Sequence, residues 1–221
     1  MGALIIAVDG PAAAGKGTLS RRLATEYKLA HIDTGALYRA TARDVLAAGV
    51  DPTDGEAAAL VAAKLDPATF ADPALRSEAV GRTASIVSAH PAVRAALLEY
   101  QRNFAYHPPE GMAGAVLDGR DIGTVVCPQA TVKLFVTASL DARSARRLRE
   151  LEAAGGPVDA AAVLADMQAR DERDSTRAAA PLKPATDAVV LDTTGLDADE
   201  AFGAAVSIVR ARIRSFSGSQ A

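Results

Sequence analysis

Apolar positions along the chain fall into two alternating patterns. A continuous apolar run at 3–9 and shorter apolar-rich runs at 29–33, 113–118, 132–137 and 188–192 read as strands. Strands buried on both faces of a parallel sheet lack polar alternation. Between them, apolar residues recur at helical spacing over 16–28, 35–48, 51–65, 76–89, 93–105, 139–153, 158–173 and 197–215. Two prolines make 66–75 a loop, His90-Pro91 separates two helices, and Gly155-Gly156-Pro157 ends another. The small, polar tail after Phe216 is expected to fray. Strands separated by helices predict an α/β fold, a three-layer sandwich around a five-stranded parallel sheet. The stretches 51–106 and 139–181 contain no strand and interrupt the core, so they are candidates for moving subdomains. Ligands belong at the carboxyl ends of the strands.

Composition narrows the function classes. The chain has 221 residues and is 49% apolar, enough for a sizeable core. No run approaches the roughly 18 to 20 apolar residues of a membrane span. No export signal is evident, and the single cysteine excludes an internal disulfide framework. A cytoplasmic protein without membrane partners is expected. Cys127 reads as a small apolar filler, because no histidine accompanies it. The net charge of −3 argues against a general nucleic-acid binder. Arg far outnumbers Lys among the 24 basic residues, and its planar fork matches phosphate oxygens in pairs.

The first strand runs directly into Gly10-Pro11-Ala12-Ala13-Ala14-Gly15-Lys16-Gly17-Thr18, and a helix follows. That is the context of a phosphate-binding loop. Its glycines let several amides face one anion, and the helix adds its positive end. Lys16 is placed to reach the outer phosphates of a nucleoside triphosphate. Gly17 stands where Ser or Thr usually follows the lysine, and Thr18 comes one step later. This form resembles nucleoside monophosphate kinases more than GTPases or motor ATPases.

Three further clusters fall at strand ends or on one helix face. In 31–39, polar groups end the second strand, and Arg39 lies one helical turn from Gly35. In 117–124, Asp118, Arg120 and Asp121 stand among glycines at the mouth of the sheet. Such groups are costly to place there without a ligand. Asp118 ends an apolar strand, as a magnesium-holding carboxylate would, directly or through water. In 170–177, Arg170, Arg173, Asp174 and Arg177 share one helix face. With Arg143, Arg146 and Arg147 on the preceding helix, that face suits a lid over polyphosphate.

Together these segments closely resemble the bacterial cytidylate kinases, over almost the whole chain. The resemblance rests on 8–18, 33–39, 118–126 and 170–182 with its Arg-Ala-Ala-Ala-Pro-Leu close. It implies one P-loop kinase domain over 1–221. The core would be 1–50, 107–138 and 182–221, with a nucleoside-monophosphate-binding segment at 51–106 and a lid at 139–181. It implies ATP-dependent phosphorylation of CMP and dCMP with magnesium. The loop 10–18 would hold ATP, with Lys16 catalytic, Thr18 and Asp118 at the metal, and Arg146 covering ATP. Arg39, Arg120 and Arg177 would grip the CMP phosphate, Arg120 and Arg177 also serving catalysis. Ser85, Arg94 and Asp121 would read cytosine, and Thr34, Tyr38, Arg170 and Asp174 would line the ribose. The family's insert of short strands looks trimmed at 66–76, and a monomer is expected.

Other classes make different demands. A hydroxyl-acceptor kinase would need a carboxylate base, for which Asp33 is the candidate. A kinase for UMP or AMP would share the fold. A switch GTPase would need an Asn-Lys-x-Asp-type motif, which the sequence lacks.

Overall fold

The computed structural model describes residues 3–153, 155 and 158–218. Its elements are β1 (Leu4–Asp9), α1 (Lys16–Tyr27), β2 (Ala30–Asp33), α2 (Thr34–Ala47), α3 (Gly55–Ala62), α4 (Glu78–Val87) and α5 (Pro91–Tyr106). They are followed by β3 (Gly114–Gly119), β4 (Val132–Thr137), α6 (Leu140–Ala153), α7 (Ala160–Thr176), β5 (Val189–Asp192) and α8 (Ala198–Gly218). The five strands form one parallel sheet in the order β2-β3-β1-β4-β5.

The unbroken apolar run of β1 follows from burial on both faces. In β1, Ile5 and Ala7 pack with Leu37, Val45, Val87, Val93 and Leu117 on the side of α2 to α5. Ile6 and Val8 pack with Leu19, Leu23, Leu134 and Val209 on the side of α1 and α8. Neither face of β1 meets water, so neither can be polar. The apolar character stops at the carboxyl ends, where Asp9 and Asp33 finish β1 and β2 and Asp118 stands next to last in β3. The register places Asp33 beside Asp118 and Asp118 beside Val8. The chain leaves β1 for β2, beyond β3, and leaves β3 for β4, beyond β1, so these two adjacent strands send their connections in opposite directions. That opens a crevice at their carboxyl ends.

Local differences from the sequence expectation have physical causes. The stretch expected as a loop folds into two 3-10 turns, Pro67–Ala71 and Pro73–Arg76. Each starts with proline and is capped by an aspartate, Asp66 accepting from Ala68 and Asp72 from Ala74. Helix α5 begins at Pro91, since proline is tolerated in a first turn. The residues after β3 form a single π-helical turn, Ile122–Val126, which no periodicity foretold. Gly155 of the expected break has φ +86°, while Gly156 and Pro157 lie outside the described residues. Cys127 is buried in the core, and burial pushes its thiol up to about 11, consistent with an apolar filler.

Candidate active site

The phosphate loop turns sharply as it leaves β1. A Cβ at Gly10 would lie 1.9 Å from the Val136 carbonyl oxygen, so only glycine permits the approach to β4. Gly15, at φ +85°, then hands the chain to α1. The first turn of α1 carries no acidic residue, leaving its amides available to an anion.

Lys16 Nζ lies 3.5 Å from Asp118 Oδ1 across the crevice, both side chains nearly enclosed. Burial, then repulsion from Arg120, lowers Lys16 to about 8. Burial pushes the Asp118 carboxyl up, against the pull of Lys16. Thr34 donates its hydroxyl to the Asp118 carbonyl at 2.8 Å, pinning the start of α2 to the end of β3. Arg39 pairs with Asp33 at 2.5 Å. Burial opposes ionisation of Asp33, but Arg39 and Lys16 outweigh it and hold the carboxyl below its usual range.

Helix α7 closes the crevice from above. Arg120 Nε donates to Asp174 Oδ2 at 2.9 Å, and Arg177 stands 3.9 Å from both Asp174 and Asp121. Arg94 of α5 pairs with Asp121 and lies over the Tyr38 ring, 5.4 Å from its centroid. Arg173 Nε donates to Ser85 Oγ at 3.0 Å, so α7 touches α4 directly. Arg170 Nε and Arg177 Nη2 are buried yet have no hydrogen-bond partner among the described residues. Burial and neighbouring Arg120 lower Arg170 to about 10. Buried guanidinium nitrogens without partners are expensive, and an anionic ligand between them would satisfy both.

The structure thus brings Lys16, Thr34, Tyr38, Arg39, Ser85, Arg94, Asp118, Arg120, Asp121, Arg170, Asp174 and Arg177 around one crevice. Arg146 stands apart, at the loop after β5. It donates to Thr193 Oγ1 at 3.0 Å and to the Thr193 carbonyl at 2.5 Å. Thr193 in turn donates to the Ala14 carbonyl, linking this loop to the phosphate loop. A cavity of about 600 Å³ opens there, lined by Ala142, Arg146, Thr194, Gly195 and Asp197 among others. Arg143 is a strut rather than a free lid residue. It donates to the Ala138 carbonyl at 3.0 Å and the Ala12 carbonyl at 3.4 Å, and pairs with Asp171 at 2.7 Å.

A sequence profile for cytidylate kinases matches residues 6–211. The chain belongs to the cytidylate kinase family. It is 57% identical to the cytidylate kinase of Rhodospirillum rubrum over 206 residues, covering 93% of this chain and 97% of that protein. It is 61% identical to that of Granulibacter bethesdensis over 207 residues, covering 94% and 97%. Among solved structures, it resembles an uncharacterised protein from Eubacterium ventriosum with a TM-score of 0.53 at 14% identity, covering 94% and 98%. A sugar kinase from Janibacter sp. HTCC2649 gives 0.50 at 13% identity, covering 94% and 95%. At such identities these two speak for the α/β fold alone. Cytidylate kinase membership makes ATP the co-substrate and small-molecule nucleotides the ligands. No helix among the described residues is long and apolar enough to cross a membrane.

Two residues gain a place in this cytidylate kinase site that sequence alone did not give them. Arg173 belonged to the expected helix stripe, but its partner Ser85 is 88 positions away. Asp9 appeared only as a strand terminus. Its carboxylate is buried and accepts the backbone amides of Ile122 at 2.7 Å and Gly123 at 2.8 Å. A carboxylate closing a wholly apolar run was the available signal, since buried charge requires partners.

Proposed function

We propose that this member of the cytidylate kinase family, in phosphorylating CMP and dCMP with ATP, divides recognition between two sides of the crevice. The loop 10–18 holds the ATP phosphates, and the cavity beside Arg146 takes the rest of that nucleotide. Arg39, Arg120 and Arg177 receive the acceptor phosphate, and Arg170 stands close enough in charge to Arg120 to assist. Asp121, Arg94 and Ser85 read the base, with Tyr38, Thr34 and Asp174 beside the ribose. The observation that carries this reading is that two buried guanidinium nitrogens, Arg170 Nε and Arg177 Nη2, have no hydrogen-bond partner among the described residues and share the crevice with the Arg94–Asp121 pair.

The chemistry needs alignment and charge neutralisation more than proton transfer. An acceptor phosphate oxygen, already anionic at neutral pH, bonds to the γ-phosphorus of ATP. The bond from that phosphorus to the β–γ bridging oxygen breaks, and ADP leaves with the electron pair. Lys16 and the arginines offset the charge spread over the transferring group. Helix α7 excludes water, so the acceptor phosphate rather than solvent is phosphorylated. Thr18 and Asp118 would hold magnesium, which when bound neutralises phosphate charge. The fit is physical: Asp118 Oδ2 would lie 3.2 Å from a Cβ at Gly17, at the very start of α1. No cluster of three or more acidic, His or Cys residues able to hold a metal occurs among the described residues. Magnesium typically takes one or two carboxylates with phosphates and water, and the site offers that. A hydroxyl acceptor would need a competent base, and the Arg39 pairing makes Asp33 a weak one.

Calorimetric titration of Asp121→Asn tests the division. CMP binding is expected to weaken about tenfold or more, because a buried charged hydrogen bond is lost. Binding of a non-hydrolysable ATP analogue should stay within about twofold. Equal weakening of both nucleotides would contradict the assignment.

A further inference from the structure

The π-helical turn Ile122–Val126 is held at both ends by charged side chains from other elements. At its amide end, both carboxylate oxygens of Asp9 accept from Ile122 and Gly123. At its carbonyl end, Arg102 of α5 donates from Nε to Val126 and from Nη2 to Val125, each at 3.0 Å. The signs match the peptide dipole, negative at the amides and positive at the carbonyls. The turn is also locked to what precedes it, since the Asp121 carbonyl accepts from Val125 at 2.9 Å and Val126 at 3.2 Å.

What precedes it is Arg120-Asp121. Arg102 lies on the same helix as Arg94, the partner of Asp121. One helix therefore grips the turn and supplies the group its carboxylate must meet. Asp9 fixes the same turn to β1, from which the phosphate loop departs. A Cβ at Gly123 would sit 3.1 Å from the Lys133 side chain, so glycine lets the turn lie close to β4. Single π-helical turns are rare and concentrate at functional sites.

We propose that Asp9 and Arg102 are positioning residues for acceptor recognition, clamping the two ends of the 122–126 turn so that Arg120 and Asp121 stay in register with Arg94. The proposal rests on the reading that Arg120 and Asp121 bind the acceptor. Asp9→Asn replaces one accepting oxygen with an amide group that cannot accept from the facing N–H. Arg102→Met removes both donors from a solvent-facing position and keeps the aliphatic stem.

The test is calorimetric titration at pH 8 of CMP and of a non-hydrolysable ATP analogue, with the full-length protein. The variants are Asp9→Asn, Arg102→Met, Asp121→Asn and the two doubles containing Asp121→Asn. Each clamp substitution should raise the CMP dissociation constant about three- to tenfold and leave the ATP analogue within about twofold. In the Asp121→Asn background the same substitutions should weaken CMP by a clearly smaller factor, because the turn no longer presents its carboxylate. Arg102→Lys should fall between wild type and Arg102→Met. A residue supporting only the phosphate loop or the fold would lower both affinities together, and that result overturns the proposal. Full additivity with Asp121→Asn overturns it too. If Asp121→Asn leaves CMP binding unchanged, the acceptor reading falls and takes the clamp with it. If Asp121→Asn weakens CMP while neither clamp variant does, the clamp alone falls.

Discussion

Arg173 Nε donates to Ser85 Oγ at 3.0 Å, so α7, which roofs the crevice, is tied directly to α4. Arg173 is otherwise exposed. Arg173→Met should therefore raise the KM for CMP about three- to tenfold, with the KM for ATP unchanged. Steady-state kinetics with each nucleotide varied in turn checks this. A parallel rise for ATP would mean that α7 contributes equally to both sides.

Lys16 reaches across the crevice to within 3.5 Å of Asp118. Its charge is worth most where the transferring phosphoryl group carries its own. Lys16→Ala should lower kcat by about 10² or more with the fold intact by circular dichroism. Turnover near the wild-type value would remove Lys16 from the catalytic set.

The same lysine sets a pH dependence. Burial and Arg120 lower it to about 8 in the free protein. It is charged below that value and loses its proton as pH rises through it. Because kcat/KM reports ionisations of the free enzyme, kcat/KM for ATP should fall as pH climbs through about 8. Arg remains protonated throughout, so Lys16→Arg should lose this descending limb whatever its absolute rate. A limb that persists in Lys16→Arg would assign it to another group.

Asp9 should leave a mark on stability of the opposite kind. Burial pushes its carboxyl from 3.8 to about 7, even though two amides donate to it. With the folded value raised, the native state binds more protons than the unfolded chain between those limits. The charged form therefore penalises folding above about pH 7, by about 4 kcal/mol at most, and the penalty is relieved as pH falls toward 4. Asp9→Asn lacks that titration. The melting temperature of wild type relative to Asp9→Asn should rise between pH 8 and pH 5, as scanning calorimetry would measure. A pH-independent difference would place the Asp9 carboxyl near its ordinary value.

Much of this architecture is readable from residue order. The central strand β1, buried on both faces, had to be apolar almost throughout, and all five expected runs are strands, each end within one residue of the expectation. The phosphate loop announces itself because glycine spacing, lysine and the preceding strand are all local. The strand order is not local: nothing in the sequence places β3 rather than β2 beside β1. Partnerships across long separations are hidden for the same reason. Arg120 was recognisable as a ligand candidate, but its pairing with Asp174 joins residues 54 positions apart. The π-helical turn was illegible because five residues carry no period, and its two ends are fixed by Asp9 and Arg102 from elsewhere. Arg146 was expected over ATP; its hydrogen bonds run to the loop after β5, a contact that depends on how α6 docks.

If Asp121, Arg94 and Ser85 read the base as proposed, the crevice selects a cytidine monophosphate as acceptor. An ADP-release assay with ATP and magnesium, offering CMP, dCMP, UMP, AMP and GMP one at a time, tests it most directly. The account predicts fast turnover on CMP and dCMP, with UMP, AMP and GMP far slower. Comparable turnover on AMP or UMP, or none on CMP, would contradict it.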